Sequence, residues 1–182
     1  MPTTRALLLA LLTTAALVSG CGSPAPAAPA PAPAATTTAT APTPGEVAVS
    51  GDVRAPRTWS RADLAALPQT TVTVRYGSGK GPQEHTLSGV PLVRLLPPEA
   101  LATTDAKNDL LSFGVLAVGA DGYRALVSYG EASPDFGNRG LLVALTEDGK
   151  PLDRPRVAVP GDVKGGRYVS DLVELRVARI GS

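Results

Sequence analysis

Every charged residue of this chain except Arg5 lies after Gly45, and that boundary decides which part of it can fold. Residues 22–45 hold 7 of the 18 prolines and no charged side chain, alternating Ala with Pro and then Thr. Such a segment favours an extended, solvated backbone and carries too little apolar surface to bury. Of the 182 residues, the 137 from Glu46 onward remain, which is the size of one ordinary domain. A chain of that length buries about two thirds of its unfolded surface, enough for a core without disulfides or a structural metal.

The first 21 residues read as an address. Met1 to Arg5 is short and basic, Ala6 to Val18 is a 13-residue apolar run, and small residues then precede Cys21. This is the pattern of a secretory signal peptide, too short for the ~20 apolar residues of a membrane span. Leu17-Val18-Ser19-Gly20-Cys21 resembles the lipobox of bacterial lipoproteins. The resemblance implies cleavage after residue 20 and lipidation of Cys21; the alternative is an ordinary signal peptide with an incidental cysteine. Acyl chains contribute ~0.8 kcal/mol per buried CH2, so two or more on one residue anchor persistently. The expected organisation is a signal peptide over residues 1–20, a lipidated Cys21 with its linker over 21–45, and a domain over 46–182. The linker's 24 residues 22–45 reach up to about 70 Å at ~3.1 Å per residue. The expected location is the bacterial cell membrane or envelope, with membrane lipid as a partner through Cys21.

Composition then narrows the other partners. Without Arg5 the 17 basic residues become 16, against 16 acidic ones, and only 4% of residues are aromatic. Nucleic-acid binders need a basic footprint or aromatic stacking platforms, so no nucleic acid is expected as a partner. Cys21 is the only cysteine, which leaves the domain neither disulfide nor thiolate metal site. No protein partner can be named from the sequence.

Within the domain the periodicity is mostly that of strands. Val47, Val49 and Val53 alternate with small or polar residues, as do Thr70 to Tyr76, Arg156 to Val159 and Leu172 to Val177. Ser60 and Asp63 have the chemistry of a helix start, with Leu64 and Leu67 as its apolar face before Pro68. Gly77 to Pro82 is expected to break the strand before it. Glu84 to Leu87 returns as a short strand, and a short helix ends near Leu96 before Pro97-Pro98. Asp121-Gly122 marks a hairpin between Leu110–Val118 and Tyr123–Ser128. The unbroken apolar run Leu141–Leu145 implies a strand buried on both faces. The count is about seven strands and two or three short helices, without the βαβ alternation of a doubly wound sheet. The fold class is therefore α+β, with a mixed and mainly antiparallel sheet.

The loop Pro160 to Arg167 gathers the parts of an anion cradle. Gly165 and Gly166 expose backbone, and Lys164 and Arg167 add two cationic donors. The alternative is a solvated glycine-rich connection. His85, the sole histidine, reads as a surface or packing residue, and no metal-ligand spacing stands out. Ser128, Ser133 and Asp135 lack a credible base unless His85 folds beside them. Phe136 and Trp59 read as core residues.

Taken in order, Leu64-Ala65-Ala66-Leu67-Pro68, Gly89-Val90-Pro91-Leu92, Ala120-Asp121-Gly122-Tyr123, Asp148-Gly149-Lys150-Pro151-Leu152 and Val159-Pro160-Gly161 to Gly166-Arg167-Tyr168-Val169 resemble the oxidoreductase molybdopterin-binding domain of the sulfite oxidase type, over roughly Val47 to Val177. The resemblance implies that fold, and implies that Lys164, Gly165, Gly166 and Arg167 help hold an anionic pterin phosphate. It also exposes two departures. Catalytic members end the strand matching Val72 to Tyr76 with a molybdenum-ligating cysteine, where this chain has Tyr76-Gly77-Ser78-Gly79. They also carry a preceding region with cofactor contacts, where this chain has the Pro/Ala linker. A phenol with a pKa near 10 does not replace a thiolate toward a soft metal site. Three functions stay open: a binding or accessory module with no cofactor, taking a small anion or pterin; a molybdopterin-dependent oxidoreductase or cofactor-carrying subunit; and a structural envelope protein.

Overall fold

The computed structural model describes residues 43–180; the expected signal peptide, Cys21 and most of the expected linker lie outside them. Among these residues, nine strands form two sheets. They are β1 (Val47–Gly51), β2 (Arg57–Trp59), β3 (Thr70–Ser78), β4 (Gly81–Pro91), β5 (Phe113–Gly119), β6 (Arg124–Ser128), β7 (Leu142–Glu147), β8 (Lys150–Ala158) and β9 (Leu172–Arg179). Three short helices, α1 (Arg61–Ala66), α2 (Leu92–Leu95) and α3 (Tyr129–Ala132), sit between them. One sheet has the order β2-β1-β9-β5-β6 and the other β3-β4-β7-β8. Among the described strands only β1 and β9 pair in parallel; the other pairs are antiparallel. The class is α+β and mainly antiparallel, and no helix among the described residues is long and apolar enough to cross a membrane.

The main core lies between the sheets. Val47, Val49, Phe113, Val115, Leu175 and Val177 meet Val90, Val143, Leu145 and Val157 from the second sheet. A smaller cluster covers the other face of that second sheet, with Val74, Leu87, Leu142, Ala144, Ala158 and Tyr168. Successive residues of β7 therefore serve opposite clusters, which is why Leu141–Leu145 is apolar without interruption. At Gly89 the strands come so close that a Cβ would stand 2.1 Å from the Val143 carbonyl oxygen, and the register of β4 on β7 shifts there.

Local chemistry explains the element ends. Ser60 caps α1 in a reciprocal box, its hydroxyl accepting from the Asp63 amide at 3.1 Å while the Asp63 carboxylate accepts from the Ser60 amide at 3.1 Å. Asp148 and Gly149 both adopt positive φ, 51° and 76°, the backbone of a two-residue turn joining β7 to β8.

Several boundaries differ from the sequence reading. The break expected at Gly77 does not occur: β3 runs on through Ser78, because Gly77 pairs with Pro82 across the hairpin. Strand β2 has no alternation of its own and forms by pairing with β1, which seats Trp59 in the core under the Arg57 guanidinium, 3.6 Å above its ring. Strand β8 begins at Lys150, six residues earlier than the alternation of Arg156 to Val159 indicates, because the Asp148-Gly149 turn pairs it with β7 from its first residue. Phe136, expected in the core, is 40% exposed on a turn after α3.

Candidate functional site

The loop between β8 and β9 is fastened across the end of β3. The Gly77 amide donates to the Val163 carbonyl at 2.9 Å, and Gly77 bridges to Lys164. Tyr168 is buried and donates its hydroxyl to the Val159 carbonyl at 3.0 Å, which closes the loop on itself. Its phenol is pushed up to about 12, by burial first and then by the Asp162 charge. Tyr123, half exposed on the far side, donates to the Gly166 carbonyl at 2.5 Å. A loop rich in glycine is thereby held at three points, through Gly77, Tyr123 and Tyr168.

Between this loop and the β3–β4 hairpin lies a cleft of about 720 Å³. The hairpin contributes Tyr76 to Lys80, Gln83 and His85; the neighbouring strands contribute Glu147 and Arg156; the loop contributes Lys164, Gly165, Gly166 and Tyr168. Lys80 and Lys164 are exposed, and among the described residues neither has a carboxylate within ion-pair distance. The cleft therefore presents two free ammonium groups beside bare glycine backbone.

Of the four residues singled out in the loop, the structure brings Lys164, Gly165 and Gly166 to the cleft. Arg167 turns away from it. Its guanidinium forks onto Asp162 at 2.6 and 2.8 Å and onto Glu131 at 2.9 and 3.2 Å. These two carboxylates, Asp162 first, hold Arg167 even more firmly in its charged form. Burial raises the Glu131 carboxyl, but bonds from Arg167 and the Ser128 amide outweigh that and keep it below its ordinary range. Arg167 thus fastens the loop to the start of α3, and its charge is already matched.

Residues that the sequence reading leaves aside stand on the cleft wall. His85 Nδ1 lies 2.8 Å from Asp148 Oδ2 and 3.1 Å from Glu147 Oε1. Arg156 is paired with Glu147 and donates to Ser170 Oγ at 3.1 Å. Ser128 caps α3 and Ser133 is buried, and His85 is partnered by Glu147 and Asp148, so no serine triad forms. The sequence signal for this wall was weak. Glu147 and Asp148 belong to a turn motif, and His85 is 62 positions before Glu147; the pairing of Leu87 with Glu147 and the bonds between Thr86 and Asp148 bring them together.

Tyr76 occupies the strand end where the resemblance places a metal-ligating cysteine. Its ring stacks on Tyr168 with centroids 4.4 Å apart. The ring also lies against Gly165, where a Cβ would sit 2.7 and 2.8 Å from two ring carbons. The space beside this strand end is therefore filled by a phenol ring, and the only thiol in the chain is Cys21. This donor set does not fit a thiolate-ligated molybdenum centre.

No family model matches the chain, and no curated protein matches it. Solved structures do. The crystal structure of the sulfane dehydrogenase SoxCD from Paracoccus pantotrophus superposes with a TM-score of 0.57 at 21% sequence identity, over 73% of this chain and 38% of that one. The chain thus spans well under half the length of this structural relative. The likeness shows that the two share a fold, the mainly antiparallel α+β arrangement described above.

Proposed function

We propose that this chain is an exported lipoprotein, anchored through Cys21, whose domain is a binding or accessory module that takes a small anionic ligand in the cleft and does not carry out sulfite oxidase-type catalysis. One observation carries the reading: Lys80 and Lys164 face the cleft without carboxylate partners, beside Gly165 and Gly166, while Tyr76 stands where a thiolate would be needed. Two ammonium groups and open backbone suit phosphate-like oxygens, each charge-assisted bond contributing ~1.5–3 kcal/mol when well formed.

The test is titration of the full-length chain with inorganic phosphate, molybdate and a pterin phosphate at low salt. The expected result is saturable binding in the millimolar to micromolar range that weakens with salt and is lost in the Lys80→Ala, Lys164→Ala double variant. No saturable binding by the wild-type chain would reduce the cleft to a connector.

A second reading draws on the likeness to a dehydrogenase: a molybdopterin-dependent oxidoreductase or a cofactor-carrying subunit. Molybdenum analysis and extracted-pterin fluorescence on chain from a molybdenum-replete host decide between the two, since the first reading expects neither signal.

A further inference from the structure

We propose that His85 Nδ1, Glu147 Oε1 and Asp148 Oδ2 form a binding site for one divalent cation of the zinc class on the cleft wall. The three donor atoms lie within 4.8 Å of one another. The imidazole nitrogen faces two carboxylate oxygens at once, at 2.8 and 3.1 Å, although it has at most one hydrogen to share between them. A cation set among the three atoms satisfies all of them and neutralises two adjacent carboxylates.

The outer oxygens are already committed. Glu147 Oε2 accepts from Arg156 Nη1, and Asp148 Oδ1 accepts from the Thr86 amide at 2.8 Å. Each carboxylate is thus oriented by one oxygen and offers the other inward, the arrangement that fixes metal-ligating side chains. The frame behind them is a pair of hydrogen-bonded strands. His85 is on β4, Glu147 ends β7, and the Asp148 amide donates back to the Thr86 carbonyl at 2.8 Å. Bonds of 2.0–2.2 Å in a tetrahedron put ligand atoms about 3.3 Å apart, so the two nitrogen–oxygen separations need to open by only a few tenths of an ångström.

One imidazole and two carboxylates suit a borderline cation such as zinc, and no thiolate competes for a softer one. Three protein ligands leave a fourth position, and because His85 and Glu147 both line the cleft, that position opens into it. Arg156 beside Glu147 and Lys150 near Asp148 are the countercharges that limit affinity.

His85 is the only histidine, so a chain without a histidine tag gives a single set of imidazole signals. The experiment titrates zinc chloride into EDTA-stripped, full-length, 15N-histidine-labelled chain, with zinc retention after gel filtration as a second readout. The expected result is saturation at one zinc per chain, with the change centred on Nδ1. Asp148→Asn and Glu147→Gln should each weaken binding by at least about tenfold while leaving the circular dichroism spectrum unchanged. An Nδ1 signal that does not move in excess zinc overturns the proposal, even if a variant fails to fold. So does a response confined to Nε2, or an affinity unchanged in both folded variants. Lys80→Ala with Lys164→Ala should leave zinc affinity undiminished, which separates this site from the anion reading of the cleft.

Discussion

The ring of Tyr76 stacks on the ring of Tyr168 at a centroid distance of 4.4 Å, and this pair joins the end of β3 to the loop that crosses it. The glycine at 165 follows from that stack, because any Cβ there meets the Tyr76 ring at 2.7 Å. Gly165→Ala should destabilise the domain by about 1–3 kcal/mol, as overpacking does. In a Tyr76→Ala background the same change should cost little. Chemical denaturation of the two single variants and the double variant measures the coupling, and additive effects would show that the ring does not set the requirement for glycine.

Arg167 belongs to a charge cluster and not to the cleft, which can be separated experimentally. Its side chain is 31% exposed, with Glu131 23% and Asp162 13% exposed. After discounting for solvent screening, Arg167→Met should cost about 1–2 kcal/mol, because Glu131 and Asp162 lose their bidentate partner and keep only Arg139, at 3.3 and 3.8 Å. Phosphate binding at a temperature where this variant is folded should stay within about twofold of wild type, since the Arg167 guanidinium is spent on Asp162 and Glu131 and the loop keeps its bonds to Gly77 and Tyr123. A loss as large as that of the Lys80→Ala, Lys164→Ala variant would return Arg167 to the cradle.

What could be read from the sequence was what depends on near neighbours in the chain. The Ser60–Asp63 cap, the Asp121-Gly122 turn and the doubly buried strand around Leu141–Leu145 are each set by adjacent residues, and each formed. Motif order led to the same fold as SoxCD at 21% identity, where no single motif would have. Missed features depend on partners far along the chain. Strand β2 exists only against β1, β3 continues because Gly77 finds Pro82 and the 160–168 loop, and Arg167 is claimed by Glu131, 36 positions earlier. The cleft wall is of the same kind: no local pattern in Glu84-His85-Thr86 points toward Glu147-Asp148.

The anchor has its own test. Replacing Cys21 with Ser should move the protein from the membrane fraction to the soluble exported fraction, because Cys21 is the proposed attachment point and one residue bearing two or more acyl chains holds persistently. Detergent phase partitioning of wild type and variant from the same cells reads this directly. Partitioning of the variant with the detergent phase, undiminished, would sink the anchor.

Acid should loosen the domain through carboxylates that folding stabilises in the charged form. Asp109 is almost fully buried and accepts from both terminal nitrogens of Arg179, one at 2.9 Å, and from the Thr104 amide at 2.7 Å. Those bonds, Arg179 first and the Thr104 amide next, hold its carboxyl well below the ordinary range, and Asp148 is lowered by His85 and the Thr86 amide. A group whose pKa is depressed by folding contributes its full stabilisation above its unfolded value, near 4, and loses it as pH falls through the folded value. Stability should therefore be nearly flat in these groups from pH 7 to about 5, then fall steeply below pH 4 as unfolding takes up protons. Asp109→Asn should lower the melting temperature at pH 7, because the amide cannot accept as many charged bonds from Arg179. It should also make the acid limb shallower, with proton uptake on unfolding reduced by up to one. Melting curves of wild type and variant from pH 7 to 2 give both quantities. Parallel acid limbs would mean that Asp109 is not among the groups that set acid stability.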